Sequence, residues 1–309
     1  METNLTLGPI PFHWPVEAKR DFYGRIADEA PVETVYLGEV ICSKRAPFFE
    51  AELPGVIERL QRGGKRVVLS SLAEVMLVRE RKATADLTTM DGVEIEINNA
   101  AGLLHIGGRP HRLGPFMNVY NAETLDHLAR RGATHVCLPP ELPGASVALI
   151  ADAAASTELG VEVQVFGRVP LAISARCYHA RAHGRTKDNC LFVCEEDSDG
   201  MPLSTCDGKP FLRINGVQTL SESYLCILHE IEALVEMGVG HLRLSPQSGD
   251  MVEVARIFRE CIAGAISANE ADSRIRSLFP DTGLSNGFFH GAPGYRQVAP
   301  AAGNSAWNS

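Results

Sequence analysis

No run of apolar residues in this chain approaches the roughly 18 that a membrane-spanning helix requires, so such a helix is not expected. Positive charge is scarce as well. Against 38 Asp and Glu stand 29 Lys and Arg, a formal net charge of -9, which argues against a broad nucleic-acid surface. There is no HExxH pair to signal a zinc protease. His105, His111, His127, His179 and His183 are read as forming no triad, with no nucleophile elbow to pair with. A dinucleotide fingerprint is also missing: the glycines at 107–110 and 207–210 do not open a helix after a strand and read as turns. The opening METNLTLGPIPFHWP lacks a basic stretch followed by an apolar core, so a cytoplasmic protein without a signal peptide is expected. At 45% the apolar content is ordinary for a globular protein.

What is present is cysteine in a pattern. Cys177, Cys190 and Cys194 sit in one short polar loop, CYHARAHGRTKDNCLFVC, with twelve and then three residues between successive thiols. Basic side chains surround them: Arg176, His179, Arg181, His183, Arg185 and Lys187. In an acidic chain expected to lack a secretory leader, such a cluster reads as a metal site rather than a disulfide frame. Cys42, in GEVICSKR, enters from far away in sequence. Three clustered thiols plus one remote thiol suit an iron–sulfur cluster. Structural zinc, the rival, usually shows paired CxxC knuckles, and no CxxC occurs here.

Short β-rich runs at 5–10, 34–40, 66–71, 93–97, 112–117, 134–139, 161–167 and 241–246 are predicted strands. Between them amphipathic patterns predict helices at 16–27, 48–62, 72–83, 122–131, 144–159 and 223–237, with only a short apolar turn at 99–106. Glycine before the next strand (Gly63, Gly132, Gly160, Gly238) supplies the left-handed residue of a helix C-terminus. Strand then helix, about eight times over, is the signature of a (β/α)8 TIM-like barrel of α/β class. Its largest insertion, about 167–217, follows the seventh strand and carries the cysteine loop. Cys42 directly follows the second strand, on the same C-terminal face. One barrel domain is expected over 1–285, with a C-terminal extension over 286–309 that becomes disordered toward its end.

At this point GEVICSKR, SARCYHAR, KDNCLFVC, NGVQTLS and LRLSPQ resemble a barrel family named after collagenase-like peptidases. Within it they are similar to the members that serve oxygen-independent ubiquinone biosynthesis, from Leu5 to about Asn286. The resemblance implies a 4Fe-4S cluster held by Cys42, Cys177, Cys190 and Cys194. It also implies a heterodimer with a related UbiU-like barrel protein that carries a cluster of its own. Hydroxylation of ubiquinone precursors without dioxygen, with prephenate as hydroxyl donor, is the activity implied. A peptidase or hydrolase, or an enzyme hydroxylating RNA bases, are the alternatives.

Lys44, Arg45 and Arg176, beside two of these cysteines, are candidate contacts for an anionic substrate, because arginine binds carboxylates bidentately. Glu39 is either a site residue or part of a solvated loop. Asn118, Tyr120 and Asn121 follow the fifth strand and line the same mouth, unless Asn121 merely caps a helix; Asn215 and Gln218 are similar. Cys137, Cys226 and Cys261 read as core, the last two on helices. Cys206 is the one alternative ligand, and the acidic turn EEDSDG is expected to carry it away.

Overall fold

A computed structural model describes residues 3–299. Eight parallel strands close into a barrel: β1 (Asn4–Leu7), β2 (Thr34–Leu37), β3 (Arg66–Ser70), β4 (Glu94–Ile97), β5 (His111–Leu113), β6 (Ala133–Cys137), β7 (Gly160–Ile173) and β11 (His241–Leu244). Each pairs with the next, β7 pairs with β11, and β11 pairs with β1 to shut the ring. Around it run α1 (Val16–Glu29), α2 (Leu53–Arg62), α3 (Val78–Thr88), α4 (Ala100–Ile106), α5 (Ala122–Ala129), α6 (Gly144–Ala155), α8 (Ile231–Glu236), α9 (Met251–Ile262) and α10 (Ala268–Leu278). This is the (β/α)8 barrel that the alternation of patterns predicts. Residues 300–309, where a disordered end is expected, lie outside the described ones. Asn286 and Phe289 are buried, and β12 (Leu284–Ser285) pairs with the insertion strand β10 (Gln218–Cys226).

Side-chain chemistry explains the local structure. Asn99, Asn121, Asp250 and Ser267 cap α4, α5, α9 and α10 by accepting amide N–H bonds of the first turn. Gly132 and Gly238 take the positive φ expected after α5 and α8, whereas after α2 Gly64 rather than Gly63, and after α6 Glu158 rather than Gly160, do so. The turn expected at 99–106 is a genuine short helix. α2 and α3 begin about five residues later than their patterns suggest.

The insertion holds the main differences. It comprises α7 (Tyr178–Ala182), β8 (Met201–Ser204), β9 (Pro210–Asn215) and β10 (Gln218–Cys226). β10 runs antiparallel to β7, so the insertion ends near Cys226 rather than at 217. The helix predicted from 223 starts only at Ile231. Cys226 therefore lies on a strand, buried as expected.

Alternation along the strands sorts two environments. Leu5, Leu7, Val35, Leu37, Ile95, Ile97, Val163, Leu242 and Leu244 belong to the apolar core shared with the helices. Their neighbours turn into the barrel and are polar. Arg243 lies 2.6 Å from Glu96 and 2.5 Å from Glu162. Its guanidinium stacks 3.9 Å from the Tyr36 ring centroid. The Tyr36 hydroxyl donates to Glu162 at 3.0 Å and receives from Arg112 at 2.9 Å. Burial opposes ionisation of Glu162, yet Arg243 and His135 outweigh it and hold its carboxyl well below the usual range.

His241 packs edge-on against His135, 4.5 Å between ring centroids. Burial, reinforced by His135, lowers its pKa to about 4. An unfolded histidine takes its proton near 6.5, so between those values the unfolded chain binds the extra proton. Stability should fall as pH drops from about 6.5 to about 4. Replacing His241 by Gln should flatten that loss by about 1–2 kcal/mol, the partial exposure of the ring cutting the full value. Urea unfolding at pH 7, 5.5 and 4.5 reads it directly; equal slopes in both proteins would remove His241 from the acid response.

Candidate metal centre

Cys42 sits in the loop between β2 and α2. The Glu39 carboxylate accepts the backbone N–H of both Ile41 and Cys42 at 3.0 Å, and the Arg45 N–H donates to the Cys42 carbonyl at 2.9 Å. Glu39 is thus a positioning residue for this thiol. Cys177 occupies the N-cap of α7, where its sulfur accepts the Ala180 N–H at 3.4 Å. Between Cys190 and Cys194 the backbone makes two consecutive left-handed residues, Leu191 (φ 47) and Phe192 (φ 55). Neither is glycine, so this turn carries strain. Phe192 packs on Phe48 and His13, which steadies it.

All four thiols line one small cavity, together with Lys44, Arg45, His179, Lys187, Phe192, Val193 and Gly216. Three cations stand in its wall, Lys187 being paired with Glu74 at 3.4 Å. The Lys44 ammonium donates to the carbonyls of Lys187 (2.7 Å) and Asp188 (3.2 Å) and reaches the Cys190 sulfur at 3.6 Å. Arg45 is 2% exposed and donates to the Pro11 carbonyl and the Asn215 side chain, both at 3.0 Å. Gly216, at φ +63, makes room for it: a Cβ there would lie 2.4 Å from the guanidinium. Burial pushes the Cys42, Cys177 and Cys194 thiols up, and the Arg45 charge works against that rise at each.

The insertion is pinned behind the thiols by His179, fully buried, whose Nε2 lies 2.9 Å from Asp197. The His179 backbone N–H donates to the Gly216 carbonyl at 3.4 Å. Neither His179 nor Gly216 announces such a role in the sequence; the motif NGVQTLS is the one local signal. Lys44 and Arg45, expected to meet substrate, are instead taken up by the protein's own carbonyls, amide and sulfurs. Arg176 is exposed and makes no hydrogen bond or ion pair among the described residues.

Elsewhere the residues fall as follows. Cys137 is buried inside the barrel, Cys261 packs beside the core on α9, and Cys206 is exposed in the β8–β9 turn, off the thiol cavity. Asn121 caps α5, Tyr120 bonds Glu141, and Asn118 ends a turn with φ 54. Gln218 accepts from Asn215 at 3.2 Å and, with Gln164, Arg168, Arg243 and Gln247, lines a cavity of about 60 Å³ at the barrel mouth. Val40 and Ile41, which lead into Cys42, line it too.

One sequence expectation needs correcting. Gly283-LSN-Gly287 does match the GxSxG pattern. Its Ser285 is 1% exposed on β12, receives from Ser223 at 2.8 Å and donates to the Tyr224 carbonyl. It is not the exposed strand-to-helix turn of a nucleophile elbow.

Among the described residues, no group of three or more His, Cys, Asp or Glu side chains is gathered tightly enough to clasp a single metal ion. No helix there is long and apolar enough to cross a membrane.

Among solved structures, the chain is similar to phospho-2-dehydro-3-deoxyheptonate aldolase of Thermotoga maritima, 10% identical over 92% of this chain and 72% of that one, with a TM-score of 0.39. It is also similar to the spore cortex-lytic enzyme of Bacillus megaterium, 10% identical over 79% and 70%, with a TM-score of 0.25. At those scores neither likeness says anything of function. A family profile reaches further, matching residues 16–299. The chain belongs to peptidase family U32.

Proposed function

We propose that Cys42, Cys177, Cys190 and Cys194 hold a 4Fe-4S cluster and that the chain is a cluster-carrying subunit of the UbiV type. With a UbiU-like partner it would serve the oxygen-independent hydroxylation of ubiquinone precursors. One observation carries the reading: four thiols, three from one loop and one from more than a hundred residues away, line a single cavity with Lys44 and Arg45 in its wall.

The donor set fits such a group. Thiolates are its ligands, and N–H donors and positive charge at the sulfurs stabilise it and tune its potential. The Ala180 N–H and the Lys44 ammonium stand at Cys177 and Cys190, and Arg45 lies beside Cys194. Bound there, the cluster would supply one-electron transfer. Glu39 orients the Cys42 loop, and the His179–Asp197 pair keeps the insertion closed over the thiols. With Lys44 and Arg45 taken up, Arg176 is the one of the three candidate cations without a protein partner among the described residues, and it is the residue proposed to meet a carboxylate donor such as prephenate.

A strain deleted for this chain and grown without dioxygen should lose ubiquinone, while growth in air should leave it normal. Wild-type sequence should restore anaerobic quinone and Cys42→Ala should not. Full anaerobic quinone in the deletion strain would overturn the assignment. Copurification of a second U32 barrel protein at one-to-one stoichiometry is the parallel expectation for the partner.

A further inference from the structure

A third cavity, about 370 Å³, lies among α1, α2 and α3 above the ends of β2 and β3. That is within the range of small-molecule sites. The Cys42 loop divides it from the thiols: Ser43 faces this cavity, Cys42 and Lys44 face the other, and Arg45 touches both. Tyr23, Leu37, Phe49, Leu53, Leu72 and Leu87 give it apolar walls.

Its polar groups are unevenly satisfied. Glu80 is fully used, accepting from the Ser43 hydroxyl at 2.6 Å and from the Met76 and Leu77 amides at 2.9 Å. Glu39 is tied to the Cys42 loop, and Glu50 is exposed. Lys19 is different. It is 8% exposed and lines the cavity, yet among the described residues its ammonium has neither a hydrogen-bond acceptor nor a carboxylate at ion-pair distance. The face of Phe49 lies 5.7 Å away at the ring centroid, and the Glu39 carboxylate, beyond ion-pair distance, offsets part of the charge. The Thr84 hydroxyl, 2% exposed and also lining the cavity, has no partner either. A buried cation without a partner is costly, and here it stands at the edge of a space large enough for the missing anion. Desolvation accordingly lowers the Lys19 pKa.

We infer that this cavity binds a small, mainly apolar molecule bearing one carboxylate, received by the Lys19 ammonium with the Thr84 hydroxyl as a further polar contact. The site is separate from the thiol cavity, which it meets at Arg45, and does not depend on the cluster or the reaction proposed above.

The test is calorimetric titration of the full chain with 2-naphthoate and, as its uncharged counterpart, 2-naphthylmethanol. Wild type should bind the carboxylate at least about tenfold more tightly, as befits one charge-assisted hydrogen bond. Lys19→Met should lose that preference, and without ligand it should melt higher than wild type, because the unpaired charge is gone. Leu87→Trp, which fills the cavity from α3, should weaken both probes. Equal affinity for the two probes, unchanged 2-naphthoate binding in Lys19→Met, or no binding at millimolar concentration would overturn the inference. Iron content should stay at the wild-type level in both variants, so failure here is distinguishable from failure of the cluster reading.

Discussion

Alanine at any one of Cys42, Cys177, Cys190 or Cys194 is expected to strip most of the iron and sulfide from the chain purified without air. Loss of a mere outer-shell partner already costs about 10–100-fold in metal affinity, and removal of a ligand should cost at least that. Cys137→Ala, Cys206→Ala and Cys226→Ala should keep wild-type iron. Cys137 and Cys226 are buried away from the thiol cavity, and Cys206 is exposed in the β8–β9 turn. Cys42 is the sharpest case, because the closed barrel is what brings it to the other three. Full iron in Cys42→Ala would mean that the remote thiol is not a ligand. Glu39→Gln offers a graded control: it weakens the acceptor for the Ile41 and Cys42 amides, so iron should be held less tightly but not lost.

The second large effect lies at the centre of the barrel. Arg243→Met should destabilise the fold by about 3–5 kcal/mol, the usual result of removing one partner from a buried charge network. Glu96 (1% exposed) would lose its one ion-pair partner among the described residues, and Glu162 (0%) would keep only His135 at ion-pair distance. Arg62→Met serves as contrast. It breaks a pair with Glu58 whose side chains are 72% and 70% exposed, and such pairs contribute about 1 kcal/mol or less. Urea midpoints of the two variants measure both. A loss below about 1 kcal/mol in Arg243→Met would show that the interior relaxes around the missing guanidinium. Replacing Arg243, Glu96 and Glu162 together by apolar residues should recover part of the loss, since the penalty comes from the unpaired acids.

Much of this fold is legible in the residues, for identifiable reasons. Strands such as EIEI, EVQV and HLRL alternate apolar and polar side chains, and the barrel uses that period to bury one set against helices and turn the other inward. Alternation alone does not say that the inward set forms a charge network. That depends on Arg243, Glu96 and Glu162 meeting across the ring, up to 147 residues apart. β10 is harder to read. Its apolar residues Tyr224, Leu225 and Cys226 run on into Ile227 and Leu228, with Ile231 one turn later, so the stretch looks like one helix until antiparallel pairing with β7 claims its first half. The candidate metal centre divides in the same way. Three thiols are marked by local spacing and the fourth by its place after the second strand. The roles of Lys44 and Arg45 follow from partners at Pro11, Lys187 and Asn215 that no local pattern reveals. Ser285 is the reverse case, a sequence motif that burial in β12 deprives of its chemistry.

The measurement closest to the central claim is iron, acid-labile sulfide and zinc per chain, with a visible spectrum, on protein purified without air. The account predicts a brown protein with about four iron and four sulfide per chain, absorbing near roughly 400 nm as thiolate-ligated iron does. A colourless protein holding one zinc per chain and no sulfide would contradict it.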